Sequence, residues 1–298
     1  MQYLVLGGGT SPEKEVSIRS SSAVRQALEQ LGHTVTYLDP SEVSLDEIIE
    51  TSKESDGVFP ILHGIGGEDG SIQTRLEQEA IPYFGPSATS CRNTFDKADF
   101  KRILEAHSIP TPKWNVITVN QLATDPLAQN PFVLKPISGG SSIDTFVIRT
   151  FPYDSAPLAE ALSRYQTMLI EEFIEGSEIT VGILEDTPLP VVEIIPPKDQ
   201  EFDYENKYNG ATQELCPPRN VSPELQTKAQ ELALAAHQVT NGRHLSRTDI
   251  LINNKGELFV IDTNTIPGLT NQSLYPKAAA AAGYEWTDLV ERFTQLLK

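Results

Sequence analysis

Two cysteines in 298 residues, Cys91 and Cys216, are too few and too far apart for a disulfide framework or a thiolate metal site. They suit a reducing compartment. Positive charge is also scarce: 23 Lys and Arg stand against 41 Asp and Glu, a formal net charge of −18. That balance excludes an extended nucleic-acid or anionic-membrane surface, which needs a basic footprint. A local basic pocket for an anion remains open. No run of 18 apolar residues occurs, and no charged N-terminal region leads into a hydrophobic segment, so neither a membrane span nor a secretory signal is expected. Repeats and low-complexity linkers are missing too. The expectation is a soluble, cytoplasmic protein with no membrane and no nucleic-acid partner. What is present is ordinary for a globular chain, 39% hydrophobic and 21% charged, and its length suits two or three domains.

Residues 2–7 (QYLVLG) read as a buried strand followed by a glycine-rich turn. A helix then carries Ala23, Val24, Ala27, Leu28 and Leu31 on one face, Gly32 stops it, and HTVTYLD resumes as a strand. With strands at 57–62 and 81–84 this predicts a small parallel α/β domain over 1–88. A helix over 95–107, strands at 131–135 and 145–149, a helix near 156–164 and a strand at 168–171 predict a second domain over 89–172. Strands, an irregular polar segment at 198–220, a helix at 223–240, a hairpin and a final helix at 285–297 make a third, over 173–298.

The hairpin is the most informative stretch. In RTDILINNKGELFVIDTNTIPG (247–268), two runs rich in β-branched residues flank Asn253-Asn254-Lys255-Gly256. A loop of two or four residues sets 252 against 257 and 247 against 262. Arg247, Asp249, Asp262 and Asn264 then share one face, and Ile250, Ile252, Phe259 and Ile261 the other. Two carboxylates and an amide oxygen are the ligands a hard divalent ion such as Mg²⁺ accepts, with phosphate oxygens and water completing the shell. A three-residue loop breaks the shared face. A surface hairpin with a solvated Arg–Asp pair is the competing reading.

Three glycine clusters punctuate the chain. Gly7-Gly8-Gly9-Thr10-Ser11 follows the first strand, but Pro12 stands where the third glycine of a dinucleotide fingerprint belongs. A tight turn fits better, with Glu13, Lys14 and Glu15 in a loop or the first helical turn. His63-Gly64-Ile65-Gly66-Gly67-Glu68-Asp69-Gly70 closes the third strand, where ligands of α/β sheets sit, and is either a binding loop or a surface turn. PFVLKP (131–136) ends a strand in Lys135, and Ser138-Gly139-Gly140-Ser141-Ser142 then leads into another strand. That context excludes a Walker A loop. A strand–loop–strand unit can still fold over phosphates, with backbone N–H groups near the anion and the lysine as a point charge. A flexible hairpin is the alternative.

Taken together and in order, these segments resemble the D-alanine–D-alanine ligase family of ATP-grasp enzymes. The motifs are GGGTSPEKEVS (7–17), HGIGGEDGSIQ (63–73), Phe95-Asp96-Lys97, PFVLKPISGGSS (131–142), EEFIEGSEITV (171–181), DYENKY (203–208), RTD (247–249) and DTNTIPGLTNQSLYP (262–276). The resemblance implies an α/β fold, α+β in its ATP-grasp part, with three domains: an N-terminal parallel α/β domain, a central lid and a C-terminal catalytic domain. It implies ATP-driven joining of two D-alanines through a D-alanyl phosphate for peptidoglycan precursor synthesis, by a homodimer. Lys97, Lys135, Ser142 and Lys207 are then expected at ATP, with Glu171, Phe173 and Ile174 at adenine and Glu178 at the ribose. Asp249, Asp262 and Asn264 are expected to hold Mg²⁺, two ions, with Mn²⁺ as a substitute. Glu15 is expected at the first D-alanine's ammonium and His63 near its carboxylate, with Ser141 and Tyr208 linked to Glu15. Arg247 and the Gly268 N–H would stabilise an oxyanion, and Ser273 and Leu274 would receive the second D-alanine's carboxylate.

The chain departs from the family pattern at Asp262, usually glutamate; at Asp144, usually glycine; at Thr74, usually a smaller residue; and in the segment 241–246 before RTD. A carboxylate at 144 is expected to oppose a triphosphate unless it points to solvent or to a lysine. Two alternatives stay open: a ligase taking D-lactate, D-serine or another amino acid as acceptor, and a non-catalytic ATP-binding regulatory descendant.

Overall fold

The computed structural model describes residues 1–197, 212–270 and 272–297. Strand β1 (Gln2–Leu6) is buried from Tyr3 onward on both faces, as a central parallel strand requires. Helix α1 (Lys14–Gln30) buries Ser17, Ser20, Val24, Ala27 and Leu28. Next come β2 (Thr34–Leu38), α2 (Leu45–Lys53) and β3 (Gly57–Pro60). The three strands pair in parallel in the order β2–β1–β3, as the opening βαβ pattern predicts. Ser44 caps α2 by accepting the Glu47 N–H, which satisfies one orphan donor of the first turn. α3 (Ser71–Gln78) follows the second glycine cluster.

The helix expected over 95–107 is two helices, α4 (Ala88–Phe95) and α5 (Lys97–Ala106). Asp96 adopts extended backbone between them, and its carboxylate accepts the Asp99 N–H to start α5. Strands β4 (Trp114–Ile117), β5 (Phe132–Lys135) and β6 (Phe146–Ile148), helix α6 (Ala156–Tyr165) and strand β7 (Met168–Glu172) build a second sheet. Its order is β4–β7–β5–β6, antiparallel throughout.

Among the described residues the third sheet has six strands. They are β8 (Gly176–Leu184), β9 (Thr187–Pro188), β10 (Val192–Ile195), β11 (Gln213–Leu215) and, after helix α7 (Pro223–Val239), β12 (Leu245–Asn253) and β13 (Leu258–Asn264). The path runs β11–β10–β8–β12–β13, with β9 paired to β8. Helices α8 (Leu274–Ala281) and α9 (Trp286–Gln295) follow.

The hairpin β12–β13 corrects the expected register. Ile252 faces Leu258, and Asn253 and Glu257 bracket a three-residue loop, the length expected to separate the polar residues. A β-bulge between Asp249 and Ile250 repairs this: Ile250 faces Val260, Asp249 faces Asp262, and Ile261 is the extra residue. Beyond the bulge Arg247 faces Asn264, so all four polar side chains share one face after all. The core face is therefore Ile250, Ile252, Leu258 and Val260, all buried. Phe259 and Ile261, expected in the core, are only half-buried on the other side, and Ile261 lines the cleft described below.

Two cores tie the sheets together. Phe100 and Leu104 of α5 pack with Ile179, Val181 and Ile250 of the third sheet and Ala229, Ala233 and Ala236 of α7. Leu289, Val290 and Phe293 of α9 join Tyr3, Val5, Phe59 and Phe84 of the first unit, with Phe293 stacked on Phe84 at 4.2 Å between ring centroids. The atypical 241–246 segment clamps the same joint. Arg243 lies over the Tyr83 ring at 4.2 Å and donates to the Gly85 carbonyl at 2.9 Å, while His244 Nδ1 accepts the Gly85 N–H at 3.1 Å. Among the described residues no helix is long and apolar enough to cross a membrane.

Because Phe293 is fully buried across this joint, Phe293→Ala is expected to lower the unfolding free energy by about 3–5 kcal/mol, the usual cost of a buried aromatic truncation. Urea denaturation followed by tryptophan fluorescence checks this; a loss under about 1 kcal/mol would show that the joint contributes little.

Candidate active site

A cleft of about 960 Å³ lies between the second and third sheets. Its floor is the polar face of the third sheet. Ile194, Glu178 and Leu251 sit side by side across β10, β8 and β12, and Arg247, Asp249, Asp262 and Asn264 line one end. Its roof is the second sheet, with Val133, Lys135 and Val147, and the loop 138–143. Phe173 and Ile174, where β7 turns toward β8, also line it, as does Ser142. Arg149 lies over the Phe173 ring at 4.8 Å.

At the charged end, Asp249 accepts from Arg247 twice, Nε at 3.0 Å and a terminal nitrogen at 2.9 Å. Such a fork is geometrically specific and strong. Thr180 Oγ1 donates to the same carboxylate at 2.6 Å and Asn264 Nδ2 at 3.1 Å, an amide orientation that turns the Asn264 oxygen away from Asp249. Burial opposes the Arg247 charge, but Asp249 outweighs it and raises the guanidinium pKa further. Among the described residues no group of three or more His, Cys, Asp and Glu could hold a metal ion. Two carboxylates and an amide oxygen on one face are nevertheless a donor set for a hard cation that keeps much of its water. Burial first, and then the neighbouring Glu13 and Asp262, push the Glu68 carboxyl up to about 8. The residues fit a divalent cation.

Lys97 and Lys135 both reach the cleft. Lys97 donates to the Gly139 carbonyl, which holds the glycine loop to the start of α5. Glu171 is not among the residues that line the cleft, although the resemblance places it at a base. The β5–β7 register sets Val133 opposite Glu171, so Lys135 is its diagonal neighbour on the same face, and the carboxylate is buried between Lys135 and Lys101. Burial alone would raise its pKa, but the two ammonium groups hold it down at about 2. Glu172 lines the cleft instead. Lys101, fully buried, was not singled out from the sequence, where a lysine in an amphipathic helix reads as solvent-facing.

The link expected between Ser141 and Glu15 runs to Glu13. Ser141 Oγ donates to Glu13 Oε1, and Glu13 lines the cleft. Glu13 is the residue just before α1, whereas Glu15 is in the helix's first turn and exposed. Two residues along a helix turn the side chain to roughly the opposite face, which is why GGGTSPEKEVS alone did not separate them. Lys14 pairs with Asp39 at 3.1 Å, and Asp39 accepts the Gly9 N–H, fixing this loop from its far side.

His63 is buried, with Nε2 3.4 Å from Ser20 Oγ, which accepts the Leu269 N–H at 3.2 Å. That chain joins the second glycine cluster to the Gly268 turn. A Cβ on Gly268 would come within 2.8 Å of Ser273 Oγ, which would have to turn away from Thr270. Leu274 is buried in the joint core, so it can meet a ligand only through its backbone N–H at the start of α8. His63, Gly268, Ser273 and Leu274 do not line the 960 Å³ cleft. Lys207 and Tyr208 lie outside the described residues. Asp144 does not oppose the cleft charge. It bonds Arg164 at 2.9 Å and the Tyr165 hydroxyl at 2.6 Å, which ties the glycine loop to α6.

Burial lowers the pKa of His63 to about 4, aided by Arg247, and that of His244 to about 4, aided by Arg243. The unfolded chain, near the ordinary 6.5, binds more protons between these values, so both histidines contribute stability above pH 6.5 that is lost as pH falls toward 4. Urea midpoints should therefore drop between pH 7 and pH 4.5, and His244→Asn, whose amide oxygen can still accept the Gly85 N–H, should flatten that drop. An unchanged slope would mean His244 titrates normally.

A family described as D-ala D-ala ligase C-terminus matches residues 103–295. The D-alanine–D-alanine ligase of Nitratidesulfovibrio vulgaris (strain DP4) is 36% identical over 299 residues, covering 99% of this chain and 98% of that protein. The crystal structure of a D-alanine–D-alanine ligase from Bacillus anthracis superposes with a TM-score of 0.85 at 32% identity, covering 100% of this chain and 97% of that one. The same enzyme's structure complexed with ATP gives 0.83 at 29% identity, over 100% and 97%. With the family matched across the third sheet and the relatives across nearly the full length, the chain belongs to the D-alanine–D-alanine ligase family.

Proposed function

We propose that this enzyme joins two D-alanines at the expense of ATP, through a D-alanyl phosphate, to supply peptidoglycan precursor. The observation that carries this reading is one cleft with two lysines and a glycine loop above a face bearing Arg247, Asp249, Asp262 and Asn264. A relative of 29% identity was solved with ATP, and the same cleft here has the size and mixed apolar and charged lining a nucleotide needs. Val133, Val147, Phe173 and Ile174 offer an apolar slot for the base, Glu178 an acceptor for ribose hydroxyls, and Lys97, Lys135 and Ser142 donors for the phosphates.

Asp249, Asp262 and Asn264 would hold Mg²⁺, which when bound neutralises charge developing on the phosphates. In this reading the first D-alanine's carboxylate attacks the γ-phosphorus, ADP leaves, and the second D-alanine's amine attacks the acyl carbon, loses a proton and expels phosphate. Glu13, anchored by Ser141, replaces Glu15 as the group that holds the first ammonium. Arg247, held flat by Asp249, aims its positive charge at the oxyanion of the tetrahedral intermediate, with the Gly268 N–H as second donor. Ser273 and the Leu274 N–H receive the second carboxylate. His63, kept neutral by burial, sits where it can donate to or accept from a substrate carboxylate without adding charge. The rest of the reading makes the enzyme a homodimer and places it in the cytoplasm, a reducing compartment that suits its two free cysteines.

Purified protein with ATP, Mg²⁺ and D-alanine should release phosphate only when D-alanine is present and yield D-alanyl-D-alanine by mass. ATP binding with no D-alanine-dependent phosphate would overturn the reading, and a product with D-lactate or D-serine alone would move it to another acceptor. Glu13→Gln should raise the KM for D-alanine about tenfold or more, the loss of one charge-assisted hydrogen bond. Glu15→Gln should stay within about twofold of the parent. The reverse ranking would restore Glu15 to the site.

A further inference from the structure

Lys101 is fully buried and does not reach the cleft, yet its ammonium is 2.8 Å from Glu171 Oε2. The other oxygen of Glu171 holds Lys135, which does line the cleft. Lys101 also donates to Thr111 Oγ1 at 2.7 Å, so its own position is fixed from α5 and from the 110–112 connection together. A buried cation is expensive unless it is paired, and a stability role alone would be met as well by apolar packing. The geometry suggests another use.

Count the charge. With one carboxylate between two ammonium groups, the buried cluster keeps one net positive charge, and the only member facing the cleft is Lys135. Without Lys101 the remaining pair, Lys135 and Glu171, would be neutral. A phosphate arriving at Lys135 would then meet a cation already spent on its neighbour. Burial makes such differences matter, because little water is present to screen them.

We infer that Lys101 is a positioning residue for the nucleotide's phosphates: by taking up half of Glu171 it leaves Lys135 fixed in place and electrostatically available to the cleft. This rests on the reading of the cleft as a nucleotide site. Lys101 touches no substrate and acts through Glu171 and Lys135.

The test is calorimetric titration of the full-length protein with ADP and, separately, with adenosine, in the presence of Mg²⁺. Lys101→Met should weaken ADP about tenfold or more and adenosine less than about twofold, since only the phosphates sense the lost charge. Lys101→Met combined with Glu171→Gln returns the cluster to one net positive charge, and the amide oxygen of the new side chain can still accept from Lys135. This double variant should bind ADP within about threefold of the parent. The charge that remains, on Lys135, keeps the amide as acceptor and borders the cleft, so this variant can be read even where Lys101→Met alone does not fold. Equal losses for ADP and adenosine would make Lys101 a scaffold residue and overturn the inference. So would a double variant that stays as weak for ADP as Lys101→Met, or that falls tenfold below the parent. Failure of the parent itself to bind ADP would instead remove the nucleotide reading, and the inference with it.

Discussion

One extra residue in a hairpin decides whether the polar side chains of β13 join those of β12 on one face of the third sheet. The three-residue loop at 254–256 sets β12 and β13 in a register that would put Asp249 and Asp262 on opposite faces. Ile261, unpaired at the bulge, shifts the strands by one and brings the two carboxylates level. The amide bond from Asn264 depends on that shift, and it completes a set to which β12 and β8 already contribute the fork from Arg247 and the hydroxyl of Thr180. On the loop side of the bulge the three-residue loop itself sets Leu258 and Val260, rather than Phe259 and Ile261, against α7.

Much of this was legible in the sequence because motif order and strand patterning are local signals. The parallel opening of β1, α1 and β2 follows from burial on both faces and helical spacing, and the polar set at 247–264 from alternation along strands. What escaped was set by contacts between distant segments. Nothing in GGGTSPEKEVS tells which glutamate meets Ser141, because the answer depends on where α1 begins relative to a loop 128 residues away. Lys101 looks like a surface lysine until β7 supplies Glu171. Asp144 looks like a charge facing phosphate until α6 supplies Arg164 and Tyr165. The short strand β4, four residues beside a proline-rich connection, lacks the length for any pattern to show.

Electrostatics in the cleft follow one logic throughout. Each buried charge has an opposite or hydrogen-bonding partner whose main effect is to aim it: Asp249 orients Arg247, Glu171 orients Lys135, and Ser141 orients Glu13. Directed partners of this kind lower the reorganisation needed when charge appears on a bound molecule, and preorganised donors act most strongly where water is excluded. An acidic protein can thus present a positive roof to an anion without a basic surface.

The joint between the first unit and α9 carries a consequence for how this chain could be divided. Phe84 and Phe59 are covered by Phe293, and Tyr83 and Gly85 by Arg243 and His244, segments more than 150 positions later. A gene fragment ending after the first sheet would leave that aromatic surface wet and its backbone groups without the partners the last third provides. Translation must therefore pass α9 before the earliest strands acquire their full covering, and the first unit stays unfinished while the two later sheets are made.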